Sequence, residues 1–235
     1  MDSTLKSSEQ RLDEVLRQNA ELQHLIYAAA HDLKQPLRTI SNYAQLLQRQ
    51  YRGDHNASEL TSFIVGAVNE MTKLIEDLLK YSRLGNSPRR TQVNLNAIVQ
   101  WALVTLQKRI GETDAQIRCG DLPEVAIDES QFVQVFQQLF SNALNFRGSG
   151  PPVIEVTAEE QEDVCLISVR DNGQGIDSRF HEQIFEPFKR LHGKEVPGSG
   201  LGLALCRKVV QAHGGKIWVE SDGKQGSVFK ISVPT

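Results

Sequence analysis

A chain of 235 residues can hold one large or two modest domains, since domains usually run to about 100–200 residues. Its 26 Lys and Arg against 29 Asp and Glu give a formal net charge of -3, without the basic excess of a nucleic-acid binder, so no nucleic-acid partner is expected. Three scattered cysteines (Cys119, Cys165, Cys206) form no CxxC pair, no apolar run nears the ~18–20 residues of a membrane span, and the N-terminus lacks a signal peptide's apolar segment; a cytoplasmic chain with no membrane contact of its own is expected.

From Leu5 the apolar residues keep a seven-residue rhythm, with Leu5, Leu12, Ile26 and Leu33 at one phase and Val15, Leu22 and Ala29 at its companion. This predicts a coiled-coil seam, and Asn19, interrupting the first phase, is the kind of buried polar residue that fixes register in a two-stranded coil. The competing reading is an ordinary amphipathic helix. After a loop at "RGDHNAS", a second helix carries Leu60, Ile64, Ala67, Met71, Leu74, Leu78 and Tyr81. Two such helices form a hairpin, and pairing two hairpins buries all four stripes in a dimeric four-helix bundle. A homodimer is therefore expected.

"YAAAHDLKQPLRTI" lies on the first helix. In the heptad frame His31 falls outside the buried phase and is presented rather than packed. Asp32 is suited to hold the proton on its Nδ1, leaving Nε2 nucleophilic. Pro36 removes one backbone hydrogen bond and lets the helix bend. The other histidines (His24, His55, His181, His192, His213) carry no such company.

"RLGNSPRRTQVN" has a linker's composition. Beyond it, short strand-like runs ("QIRCG", "VIEVTA", "VCLISVRD", "KIWVES", "SVFKISV") alternate with helical stretches over Leu95–Ile110, Asp128–Phe146 and Leu201–His213. This predicts an α/β sandwich with a mixed sheet. Asp128 with Gln131 three residues on resembles a capping box. The helix it opens carries Phe132, Phe136, Leu139, Ala143 and Phe146 on one face. On a neighbouring face it carries the amides of Gln131, Gln134, Gln138, Asn142 and Asn145. Amide oxygens are hard ligands suited to Mg²⁺ beside a polyphosphate, although such a stripe is also ordinary solvated surface.

In "VRDNGQGID" a strand ends at Asp171, a candidate acceptor for an adenine amino group, beside Gly173 and Gly175, which allow close backbone approach. "GSGLGLAL" runs into a helix, so Gly198, Gly200, Leu201 and Gly202 offer backbone N–H groups and a helix N-terminus to phosphates. No GK[ST] follows, so this is not a Walker loop.

Taken in order, these motifs resemble the catalytic core of two-component sensor histidine kinases over roughly residues 20–234, and "HDLKQPLRTISNYAQLL" looks most like the phytochrome-type members. The resemblance makes His31 and Asp32 the H-box, Asn142 the metal-ligating Asn of the N-box, and Asp171, Gly173 and Gly175 the first glycine box. Phe185 and Phe188 resemble the F-box, "KRLHGKEVP" a mobile lid, "GSGLGLAL" the second glycine box, and Gly226 with Ser227 the last glycine motif. Ser227 is read equally as a phosphate contact or a turn residue.

Two positions depart from the family pattern. Gln138 stands where an Asn is frequent. Asn145 stands where a basic residue commonly approaches a phosphate, with Arg147 as a compensating cation.

The resemblance implies a GHKL (Bergerat-type) ATP-binding fold with ATP and Mg²⁺ as cofactors, histidine autophosphorylation, and phosphoryl transfer to an aspartate of a response regulator receiver domain. An upstream sensor domain is expected outside this chain. The implied layout is a signalling coil over 1–22, a dimerisation and histidine-phosphotransfer domain over 23–85, a linker over 86–93 and an ATP-binding domain over 94–235. Gln35 stands where relatives use Thr or Asn in regulator dephosphorylation. Two rival readings are a degenerate kinase acting as a dimeric scaffold, and a GHKL ATPase that drives a clamp without touching a histidine.

Overall fold

A computed structural model describes residues 26, 29–30, 32–51, 54–85, 87–191 and 198–235. The predicted coil over 1–22 with Asn19, His31 itself and most of the predicted lid lie outside these residues. The chain divides into two compact units, Met1–Arg83 and Leu84–Thr235.

The first unit is a helical hairpin. Residues 32–50 are helical (α1) and run through Pro36 without a break; α2 covers His55–Arg83. Asp54 accepts a hydrogen bond from the Ala57 N–H at 3.2 Å and so starts α2. Ala30 and Leu37 pack on Val68 and Ile75, with Leu79 against them. The helices thus meet along a heptad stripe of Ala30, Leu37 and Ala44 against Thr61, Val68, Ile75 and Ser82. This stripe lies one residue beyond the predicted one: Leu60, Ile64 and Met71 are exposed, while Thr61, Val68 and Ile75 are buried.

The second unit begins with β1 (Thr91–Asn94), α3 (Leu95–Val104), α4 (Gln107–Thr113), β2 (Gln116–Cys119) and β3 (Glu124–Ile127). It continues with α5 (Glu129–Asn145), β4 (Val153–Glu160) and β5 (Val164–Asp171), then two 3₁₀ turns, Ser178–Phe180 and Gln183–Phe185. It closes with α6 (Gly202–Ala212), β6 (Lys216–Glu220) and β7 (Ser227–Pro234). A five-stranded sheet has the order β2-β4-β5-β7-β6. Its β2–β4 pair is parallel and the others antiparallel, the mixed sheet expected from the sequence. Strict alternation along β7 turns Ser227, Phe229, Ile231 and Val233 inward. There α5, packed between α3 and α6, brings Phe132, Phe136, Leu139 and Phe140 into a core that hides them almost completely.

Two predicted elements differ. Leu95–Ile110 is two helices: at Thr105 and Leu106 the Leu106 N–H reaches back only three residues, to Leu103 at 2.9 Å, tightening the last turn before α4 begins. Residues 91–94, expected inside a linker, form β1, which pairs antiparallel with β3 in a separate two-stranded sheet.

Candidate functional site

On α1, Asp32 is helical and exposed, next to a His31 that lies outside the described residues. One turn on, Lys34 meets Glu76 of α2 at 3.5 Å, tying this stretch to the second helix. Gln35 is exposed, and its carbonyl accepts the Thr39 hydroxyl at 3.2 Å.

In the second unit the predicted residues converge around the C-terminal half of α5. At one end, Asp171 closes β5 opposite Ser227 of β7. Its Oδ1 accepts the N–H of Gly173 at 2.8 Å and of Ser227 at 3.2 Å. Oδ2 takes no protein donor among the described residues. Burial pushes this carboxyl above the usual value, partly offset by the two backbone donors. Gly173 is required by packing: a Cβ there would sit 2.5 Å from the Phe146 carbonyl at the end of α5. Gln174 N–H bonds to that same carbonyl at 3.0 Å, and its side-chain amide donates to the Arg147 carbonyl at 3.3 Å. The Asp171 turn is thereby stapled to α5.

At the other end stands the start of α6. A Cβ on Gly202 would fall 2.5 Å from Gln138 Oε1, so α6 begins directly against the amide stripe of α5. Gly200 adopts φ +73°, open to glycine, and its carbonyl accepts the Phe188 N–H at 3.0 Å. That bond joins the two feet of the segment predicted as a lid. Phe185 is buried against Phe229 and lies under the Arg207 guanidinium, whereas Phe188 is exposed. Leu201 has its side chain in the core and its N–H on the Ser199 hydroxyl at 3.3 Å, so only its main chain borders the site. Among the described residues nothing comes within 4 Å of a Cβ placed on Gly198.

Between these ends lies the amide stripe. Asn142 is half-buried, and its side chain takes no protein hydrogen bond among the described residues. Asn145 Oδ1 accepts from Arg109 Nη2 at 2.6 Å, and Arg109 Nη1 donates to Ser141 at 3.0 Å. Arg147 is exposed just beyond the helix. Gln131 does not belong to this site. It is buried, and its Oε1 accepts the Gly85 N–H at 3.0 Å, holding the start of the second unit onto α5. No group of three or more His, Cys, Asp or Glu among the described residues could hold a metal alone. A divalent ion here would take most of its ligands from phosphate and water, a coordination suited to Mg²⁺, and the Asn142 amide oxygen is chemically suited to add one protein ligand.

Sequence reasoning passed over two residues. Arg109 belongs to α4, which the apolar pattern merges with α3. His213 is buried, with Nδ1 donating to the Val209 carbonyl at 2.8 Å and Nε2 accepting the Asp128 N–H at 3.0 Å. It supplies the reciprocal half of the predicted capping box: Asp128 Oδ1 accepts from Gln131 N–H at 3.2 Å, but the backbone donor of Asp128 goes to this imidazole.

A carboxylate with one oxygen pinned by backbone, a glycine-bounded floor and a helix N-terminus set against side-chain amides define an adenine-nucleotide-type site on an α/β sandwich. The His Kinase A (phospho-acceptor) domain matches residues 21–87, and the histidine kinase-, DNA gyrase B- and HSP90-like ATPase family matches 127–235. The chain belongs to the histidine kinases, as the catalytic core of a two-component kinase. It is 41% identical over 222 residues to the phytochrome-like protein Cph1 of Synechocystis sp., covering 93% of this chain and 30% of that protein. The chain therefore spans under a third of that relative's length. The catalytic domain of the histidine kinase ThkA is 30% identical with a TM-score of 0.53, over 62% of this chain and 97% of that one. Full-length ShkA shares the fold at 23% identity, with a TM-score of 0.70 over 90% of this chain and 45% of its own. Among the described residues no helix is long and apolar enough to cross a membrane.

Proposed function

We propose that the chain phosphorylates His31 from ATP and passes the phosphoryl group to an aspartate of a response regulator receiver domain. The observation that carries this reading is Asp171, with Oδ1 committed to two backbone donors and Oδ2 left to accept an adenine amino group. Ser227 belongs at that end, through its backbone N–H, rather than at the phosphates. Gly173 and Gly175 shape the floor under the base. Gly198, Gly200 and the main chain of Leu201 and Gly202 face the phosphates, with Asn145 and Arg147 at the margin. Asn142 holds Mg²⁺, which neutralises phosphate charge when bound. The solved ShkA structure is a complex with AMPPNP, and one of ThkA is a complex with the response regulator protein TrrA, which supports the same ligand and partner classes here.

In the transfer, Nε2 of His31 attacks the γ-phosphorus in line. The N–P bond forms as the P–O bond to the departing ADP breaks, while Asp32 holds the Nδ1 proton. Positioning and charge neutralisation supply the rate. The reaction takes place in a homodimer in the cytoplasm, downstream of a sensor domain. Residues 1–22 form the signalling coil and 23–85 the dimerisation and phosphotransfer domain. The pairing of β1 with β3 supports an ATP-binding domain that begins before residue 94, with a shorter linker than 86–93.

Incubation with γ-labelled ATP and Mg²⁺ tests the reading. The label should attach to the protein, survive base and be lost in acid, as a phosphoramidate does. His31→Ala should abolish labelling while nucleotide binding persists, and labelling that survives in this variant refutes the assignment.

A further inference from the structure

We propose that Arg109 is a phosphate-binding residue of this site, supplying from α4 the fixed positive charge for the nucleotide's polyphosphate end that α5 itself does not carry. The inference rests on the nucleotide reading above. At about 100° per residue, Gln138, Asn142, Asn145 and Ser141 share one continuous strip of α5 spanning roughly a quarter to a third of its circumference. Gln138 touches the start of α6, Asn142 has no protein partner among the described residues, and Ser141 and Asn145 form the strip's far edge. All four side chains are neutral. The guanidinium of Arg109 lies along that edge, 3.0 Å from the Ser141 hydroxyl and 2.6 Å from Asn145 Oδ1.

Two features separate this from a simple tether between helices. Among the described residues no carboxylate pairs with Arg109, although the side chain is half-buried, so its charge is matched only by neutral acceptors. And of its five N–H donors, two are spent on Ser141 and Asn145, which fix the plane of the fork and leave the others for an oxyanion. A neutral donor would serve equally well for a hydroxyl and an amide oxygen. A guanidinium oriented by them at the margin of a triphosphate site holds its remaining donors ready for an oxyanion.

The test is calorimetric titration of the full chain with ATP, ADP and AMP, comparing wild type, Arg109→Gln and the double variant Arg109→Gln/Asn145→Lys. Losing a charge-assisted contact should weaken ATP about 10- to 100-fold while leaving AMP within about two-fold. Lysine at 145 puts a cation back on the same edge and should restore most of the ATP affinity. Equal weakening of all three nucleotides, with a lowered unfolding midpoint, would make Arg109 a structural tether and overturn the inference. If wild type favours ATP over AMP and Arg109→Gln keeps that preference, this inference alone fails. If wild type takes up none of the three, the nucleotide reading fails with it.

Discussion

In the helical hairpin, Leu33, Ile40, Tyr43, Leu46, Leu60, Phe63, Ile64 and Met71 lie between 42% and 67% exposed, whereas in residues 84–235 the comparable side chains Phe132, Phe136, Phe140, Ile154 and Ile231 are wholly buried. The difference does not come from composition, because both regions are rich in large apolar residues at regular spacing. It comes from architecture. A sheet with three helices on one face encloses a core, while two helices can hide only the stripe along which they touch. The hairpin spends that stripe on small or partly polar residues, Ala30, Ala44, Thr61 and Ser82 among them, and leaves its larger ones outside. One region closes its core by itself, and the other leaves large apolar side chains outside, the surface that the proposed homodimer would bury.

This contrast is open to attack from either side. Both tryptophans, Trp101 and Trp218, fall in residues 84–235, so their fluorescence reports that unit, while sedimentation reports association of the hairpin. The largest effect is expected from Ile64→Asp. Burying an Ile is worth about 1.5–3 kcal/mol, counted twice in a two-fold dimer, so dissociation should tighten its demand on concentration by about 100-fold or more. The tryptophan unfolding midpoint should not move. Phe136→Ala should do the reverse, lowering the stability of the second unit by about 3–5 kcal/mol in a denaturant titration and leaving dimerisation intact.

His213→Ala comes next. It removes the acceptor for the Asp128 N–H and the donor to Val209, and should cost about 2–3 kcal/mol. Burial holds the His213 imidazole below its ordinary pKa. Its contribution is therefore full above the unfolded value of about 6.5 and is lost as pH falls through the depressed folded value, because the unfolded chain binds the proton first. Wild type should weaken over that acid window, and His213→Gln should flatten the dependence.

How far the sequence reaches differs between the same two regions. The long strands were legible because β4, β5 and β7 alternate over eight residues each, and α5 because Asp128 caps it and its phenylalanines keep one face. In the hairpin the period is legible but the pairing of stripes is not: Leu60 and Thr61 run in adjacent heptad stripes, and periodicity cannot say which stripe meets the neighbouring helix of the same chain and which is left outward. Strands of four residues such as β1 and β3 are too short to carry a pattern. The break between α3 and α4 is a tightened turn at Thr105 and Leu106, inside a run whose apolar spacing continues across it. At the site, Asp171, Asn142 and the glycines stand out in the sequence by the order of motifs that resembles the family's, each being weak on local chemistry alone. Arg109 does not, since its meaning comes from Ser141 and Asn145, more than thirty positions away, and only folding brings them together.

The smallest expected change in stability, and the sharpest separation of folding from function, belongs to Asp171→Asn. Burial raises the pKa of this carboxyl, so ionising it costs the folded state, a cost that eases as pH falls through the raised value. Asparagine is nearly isosteric, and its carbonyl oxygen can still accept the Gly173 and Ser227 N–H groups. The tryptophan unfolding midpoint at pH 7 should therefore hold or rise. Nucleotide affinity should nevertheless collapse, because with the carbonyl facing the backbone the other branch becomes an NH₂ donor, opposed to an adenine amino group. A variant that melted early while still binding ATP would invert both halves of the argument, making Asp171 a structural fastener of β5 and β7 and leaving the base to be read elsewhere.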